Sequence, residues 1–133
     1  MSALAIGLLK KGYSISGSDL VKNNETNKLE KLGAIIFYSQ IIQNIEFINS
    51  KFNKKLINFV VSTAIKPENE ELMYCREKNL IIKHRSEILA LLMKSYTSLA
   101  VAGSHGKTST STFLSTLLEL CTHNSSSITG GII

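Results

Sequence analysis

The sequence predicts an α/β fold built on parallel strands, and three observations carry that expectation. Short apolar runs alternate with amphipathic ones along most of the 133 residues, the signature of strands joined by crossover helices. Residues 56–62, Leu-Ile-Asn-Phe-Val-Val-Ser, have the near-continuous hydrophobicity of a strand covered on both faces. Residues 98–120 pass from an apolar run through a glycine-bracketed turn into an amphipathic segment.

Each element follows from local pattern. Residues 1–11 are helical in period and stop at Gly12, placed as a C′ glycine. Residues 13–17 read as a strand ending in Ser18 and Asp19. Residues 24–32 form a helix stopped by Gly33, and residues 34–38 an apolar strand. Residues 40–55 are ambiguous, a short helix followed by a polar loop. After the strand at 56–62, Pro67 opens a helix with Glu68, Glu70 and Glu71 in its first turn, where the helix dipole favours anions. Asn79 or a neighbour ends it. Residues 80–83 form another short strand, and Ser86 is placed to cap a helix over 87–94. The run 98–102 is then a strand, and a helix follows Lys107.

Composition bounds the function. Hydrophobic content of 44% and charged content of 19% fit an ordinary globular chain with no disorder signature. The net charge of +5 comes from scattered lysines, which argues against a nucleic-acid groove. Cys75 and Cys121 lack paired-ligand spacing, so neither a zinc site nor a disulfide is expected, and both thiols are expected reduced and buried. The apolar start of the chain is too short to span a bilayer, and its lysines follow the apolar stretch where a signal peptide carries them before it. A cytoplasmic protein with no membrane partner is expected.

The turn Gly103-Ser104-His105-Gly106-Lys107-Thr108 has the layout of a phosphate-binding loop. Main-chain N–H groups of the turn and the helix N-terminus cradle phosphates, the lysine neutralises their oxygens, and the threonine hydroxyl ligates Mg²⁺. The pattern departs from the strict eight-residue form, since Val101 stands at the first glycine. An ordinary strand–turn–helix connection is the alternative, and the setting between strand and helix argues against it. Asp19 is the chain's one aspartate, and Glu119 is the one acid after Lys107. No carboxylate is therefore placed to hold a metal for phosphoryl transfer. His105 and the His84-Arg85 pair are candidate anion contacts, each as readily structural, and His123 suggests nothing. Asp19 and Ser62 end strands where a Rossmann-like site meets its ligand, though a cap or turn explains each as well.

Two units emerge. Residues 1–93 are an incomplete Rossmann-like parallel sheet unit, and residues 94–133 are the start of a P-loop ATP-binding domain. The first unit begins with the helix that usually follows a first strand and glycine turn. Its sheet is expected to lack the central strand and to be marginally stable.

With these residues in hand, the chain resembles the ATP-dependent Mur ligases of peptidoglycan synthesis, in the branch joining L-alanine to UDP-N-acetylmuramate. Gly17-Ser-Asp19, Ser62-Thr-Ala-Ile65, His84-Arg-Ser-Glu-Ile-Leu89, the loop 101–110 and Thr129-Gly-Gly131 carry the resemblance. His105 stands where other Mur ligases usually carry asparagine. The resemblance implies a UDP-binding N-terminal domain, a central ATP domain and a C-terminal domain that helps bind the amino acid. Gly103, Ser104, His105, Gly106, Lys107, Thr108 and Ser109 would then contact ATP, with Thr108 on Mg²⁺. Asp19, Ser62 and Arg85 would lie around the UDP site. The chain departs from the family in lacking the glycine turn for the UDP phosphates, and in carrying Ser39-Gln40 where Gly-His is usual. A truncated ligase, inactive alone, is the expectation. Half of a split ligase needing a separately encoded remainder, or a non-catalytic nucleotide-binding module, are the alternatives.

Overall fold

The computed structural model describes residues 1–122 and 125–128. His123 and Thr129-Gly-Gly131 lie outside the described residues. The chain divides into two compact units, Met1–Ser95 and Tyr96–Ile133.

The first unit is a mixed α/β arrangement holding two small parallel sheets. Helix α1 (Ser2–Lys10) leads to β1 (Ser16–Ser18), α2 (Asn24–Lys31) and β2 (Ile35–Phe37). Helix α3 (Ile42–Lys51) and a 3₁₀ turn (Lys54–Leu56) lead to β3 (Phe59–Val61), α4 (Glu70–Glu77), β4 (Ile82–His84) and α5 (Arg85–Met93). Strands β1 and β2 pair in parallel with Ser16 opposite Ile35, and β3 and β4 with Phe59 opposite Ile82. No ladder joins the two pairs among the described residues.

Local chemistry explains the helix limits. Asn23 caps α2, its side-chain oxygen accepting from the N–H groups of Glu25 (2.9 Å) and Thr26 (3.0 Å). Thr26 Oγ1 accepts from Asn23 N–H in return, closing a capping box. Gly33 ends the helix with φ +94°, a left-handed turn that a side chain would strain. Several expected boundaries move. Strand β1 starts at Ser16 rather than Tyr13, β3 starts at Phe59 because residues 54–56 wind into the 3₁₀ turn, and β4 runs 82–84. Each strand extends only as far as its partner pairs with it. Residues 59–61 are half-buried, not covered on both faces. Pro67 lies in a turn, and α4 begins at Glu70, capped by Asn69, whose Oδ1 accepts from Leu72 N–H (3.1 Å). Helix α5 is capped by His84 in place of Ser86: its Nδ1 accepts from Ser86 N–H (3.3 Å), and Glu87 Oε1 accepts from His84 N–H (2.8 Å).

Leu4 of α1 with Ile88 and Leu92 of α5 form the core cluster, packed by Leu8, Val60 and Leu89. Ile45 and Ile48 of α3, which packs on α4, are buried, as are Leu72 and Cys75 of α4. No described side chain is buried beyond the last 2% of its surface. A cleft of about 1370 Å³ accompanies this loose core, lined by residues of all four strands and of α1–α5.

In the second unit, the expected strand at 98–102 does not form; no described residue offers it a neighbouring strand, and the segment is irregular. Helix α6 (Lys107–Thr122) follows the loop, with Phe113, Leu117 and Leu120 exposed on it. Among the described residues, no helix is long and apolar enough to cross a membrane.

The two cysteines differ, correcting the expectation that both are buried: Cys75 is 3% exposed and Cys121 lies on the surface. Burial, and then the negative charge of Glu71, push the Cys75 thiol from its ordinary 9.0 to about 11. The folded chain thus keeps the Cys75 proton to higher pH than the unfolded chain, so stability falls as pH rises from 9 towards 11. Iodoacetamide at pH 8 is expected to reach the exposed Cys121 readily, and to label Cys75 about 100-fold more slowly than it would at the ordinary 9.0, from its thiolate fraction alone. Equal labelling rates under native conditions would show that α4 opens freely.

Candidate functional site

The loop of the second unit is built from Gly103 to Ser109. Gly106 takes φ +72°, which only glycine adopts without strain, and this turn delivers the chain into α6 at Lys107. Thr110 N–H donates to Gly106 C=O (3.0 Å), so the helical ladder starts there. The N–H groups of Lys107, Thr108 and Ser109 precede it and have no acceptor within the helix. Their partial positive charge makes the turn a cradle for anions. Lys107 Nζ folds back on the loop, donating to Gly103 C=O (2.6 Å) and Ser104 C=O (3.1 Å). Ser104, His105, Thr108 and Ser109 are exposed. The main-chain N–H groups and one ammonium are hydrogen-bond donors of the kind an anion accepts. The hydroxyls of Ser104, Thr108 and Ser109 are exposed beside these donors. Among the described residues, no group of three or more His, Cys, Asp or Glu is placed to hold a metal ion.

In the first unit, Asp19 directly follows β1. Its N–H donates to Phe37 C=O (2.9 Å), and its carboxylate accepts from Val21 N–H (3.1 Å), a local turn. Ser62 directly follows β3, and Arg85 follows β4 as the first, exposed residue of α5. Since Val61 pairs with His84, Ser62 and Arg85 share the carboxyl end of one sheet. Asp19 and Ser62 line the cleft, whereas Arg85 is not part of its wall.

A polar network beside these strand ends is absent from the sequence reading. Glu71 accepts from the Ser18 hydroxyl through Oε2 (2.5 Å) and from Asn44 Nδ2 through Oε1 (2.7 Å). Asn44, 6% exposed, also donates to Ser39 C=O (2.7 Å), and Asn69 Nδ2 donates to Gln40 Oε1 (2.9 Å). The network ties β1 and α3 to α4, and so fixes the residue before Asp19. A signal was available: Asn44 sits beside Ile45 on the buried side of α3, and a buried amide requires partners.

Residues 1–97 match the model of the "Mur ligase family, catalytic domain". The whole chain is 71% identical over 133 residues to a UDP-N-acetylmuramate--L-alanine ligase of Prochlorococcus marinus subsp. pastoris, covering 28% of that relative's length. It is 47% identical to the enzyme of the same description in Prochlorococcus marinus strain SARG, again over 28% of its length. With its counterpart in Dinoroseobacter shibae it shares 41% over 27% of the length. The chain thus spans between a quarter and a third of the relatives it matches. With a family model matching most of its residues and relatives aligned along all of it, this chain belongs to the Mur ligase family.

Proposed function

We propose that the chain supplies the UDP-binding region, residues 1–93, and the start of the ATP-binding region, residues 94–133, of a ligase that adds L-alanine to UDP-N-acetylmuramate. The observation that carries this reading is the 71% identity, end to end, with a protein of that description. Asp19, Ser62 and Arg85 bind the UDP portion at the carboxyl ends of β1, β3 and β4, where open α/β sheets take their ligands. Gly103, Ser104, His105, Gly106, Lys107, Thr108 and Ser109 hold the ATP phosphates, with the Thr108 hydroxyl on Mg²⁺. ATP would supply the phosphoryl group that activates the muramyl carboxylate for attack by the alanine amine. The chain's own part is to orient that donor: Lys107 leaves the Gly103 and Ser104 carbonyls to neutralise phosphate charge, while the free N–H groups of α6 fix the oxygens in place.

The chain alone binds nucleotide without turning it over, because Glu119 is the only acid after Lys107 and Asp19 the only aspartate, and phosphoryl transfer needs a carboxylate on the metal. The part of the ligase beyond the 28% that this chain matches in its relative would complete the site. The test is titration with ATP·Mg²⁺, followed by phosphate release with UDP-N-acetylmuramate and L-alanine. Lys107→Ala is expected to weaken ATP binding at least tenfold, with no alanine-dependent release from either form. Equal ATP affinity in both forms would remove the loop from the reading, and release that Lys107→Ala abolishes would show that the chain is a complete catalyst.

A further inference from the structure

Glu71 is an unusual group to find between two packed helices. Helices α3 and α4 already lie against one another and bury Ile45, Ile48, Leu72 and Cys75. A carboxylate added to such a contact brings a desolvation cost that apolar packing does not. Among the described residues, no Lys or Arg forms an ion pair with Glu71 to offset it. Its two oxygens instead take neutral donors from two different segments. Oε2 accepts from the Ser18 hydroxyl at the end of β1 (2.5 Å), and Oε1 from Asn44 Nδ2 on α3 (2.7 Å).

These bonds converge on the segments that leave the carboxyl ends of the strands. Asn44 passes the link on to Ser39 C=O (2.7 Å), just past β2. The adjacent Gln40 accepts from Asn69 (2.9 Å), the residue that caps α4. The start of α4 thus grips the chain at the end of β1 and again just past β2. Asp19 is held from three sides as a result. Its N–H is tied to Phe37 C=O on β2 (2.9 Å), and its Oδ1 accepts from Val21 N–H (3.1 Å). The residue before it is tied to α4 through the Ser18–Glu71 bond. A binding carboxylate gains from such support, because a group held in its productive geometry loses less freedom when the ligand arrives.

We propose that Glu71 is a positioning residue of the UDP site, a role that rests on Asp19 binding the UDP portion. Through the Ser18 hydroxyl it sets where Asp19 meets the nucleotide, and through Asn44 it holds the turn after β2 in register with that residue. Glu71 makes no ligand contact of its own: both oxygens are engaged by protein donors, and its charge repels a diphosphate. The site uses its two accepting oxygens. Removing either link lets Asp19 sample orientations that do not bind, and affinity falls by the fraction of molecules so lost.

The test is a double-mutant cycle on the full chain, titrated with UDP-N-acetylmuramate at a temperature where urea unfolding shows every variant folded. Asp19→Ala is expected to weaken binding about tenfold or more. Ser18→Ala cuts the link to β1 and leaves the Asn44 bond, whereas Glu71→Gln offers an accepting oxygen to only one of its two donors. Each is expected to weaken binding about fivefold in the parent and less than about twofold in the Asp19→Ala background, where the residue they act through is gone. General loosening of the first unit predicts the same loss in both backgrounds, and that result would overturn the proposal. Parent-like affinity in Ser18→Ala and Glu71→Gln, with Asp19→Ala weakened, would overturn it and leave the UDP reading standing. No binding by the parent, or unchanged affinity in Asp19→Ala, would remove that reading and the proposal with it. Amide exchange supplies a readout without ligand. The Val21 N–H, held by the Asp19 carboxylate, is expected to exchange about threefold faster in Ser18→Ala, while the Leu72 N–H, held by Asn69, keeps its rate. Equal Val21 rates in the two chains would count against any hold of Glu71 on Asp19.

Discussion

Replacing Glu71 by alanine is expected to lower the stability of the first unit by about 2–3 kcal/mol, a large share of what a domain possesses. The carboxylate accepts two hydrogen bonds, from Ser18 and from Asn44, and bonds to a charged acceptor contribute about 1.5–3 kcal/mol each. The partial exposure of Glu71 holds the sum below twice that figure. Asn44 is the costly partner: buried, it would retain only its bond to Ser39 C=O. Glu71→Gln keeps one accepting oxygen and is expected to recover about half the loss. Urea unfolding at constant slope measures both variants. A Glu71→Ala midpoint matching the parent would mean that β1 and α3 are held to α4 by something other than this carboxylate.

Truncating Ile88 to alanine is expected to cost about 2–3 kcal/mol, the lower part of the range for buried aliphatic residues. Ile88 stands at the centre of the Leu4–Leu92 cluster and is 9% exposed. It also lines the open cleft, so part of the space left by truncation is already reached by water and the void term shrinks. Ile88→Val is expected to cost about 1 kcal/mol. The comparison is informative because both variants keep the polar network intact. Equal midpoints for the two variants would show that the cluster is not packed as described.

Helix positions were readable because their signals are local. Gly12 and Gly33 end α1 and α2, and Asn79, at φ +50°, ends α4 where the sequence placed the stop. Strand limits were less readable, since a parallel strand ends where its partner does: Tyr13 and Leu56 carry strand-like side chains and find no ladder. Residues 99–102 show the same physics, being apolar yet irregular. The α5 cap was misread because imidazole seldom accepts an N–H at a helix start, and Ser86 offered a commoner cap two residues too late. Sequence order located the loop and the strand-end residues Asp19, Ser62 and Arg85. It gave no hint that Ser18 meets a carboxylate 53 positions away, because such pairing depends on how the helices cross.

The fold-back of Lys107 carries a consequence for any titration at its loop. The ammonium rests on two main-chain carbonyls, so the empty loop is its own competitor. An arriving phosphate sees full positive charge only in the fraction of molecules whose lysine has swung out, and the measured dissociation constant exceeds the intrinsic one by the inverse of that fraction. Two equilibria are therefore folded into one isotherm. Homoarginine or ornithine at this position, which change reach without removing charge, would separate the lysine's release from the grip it provides.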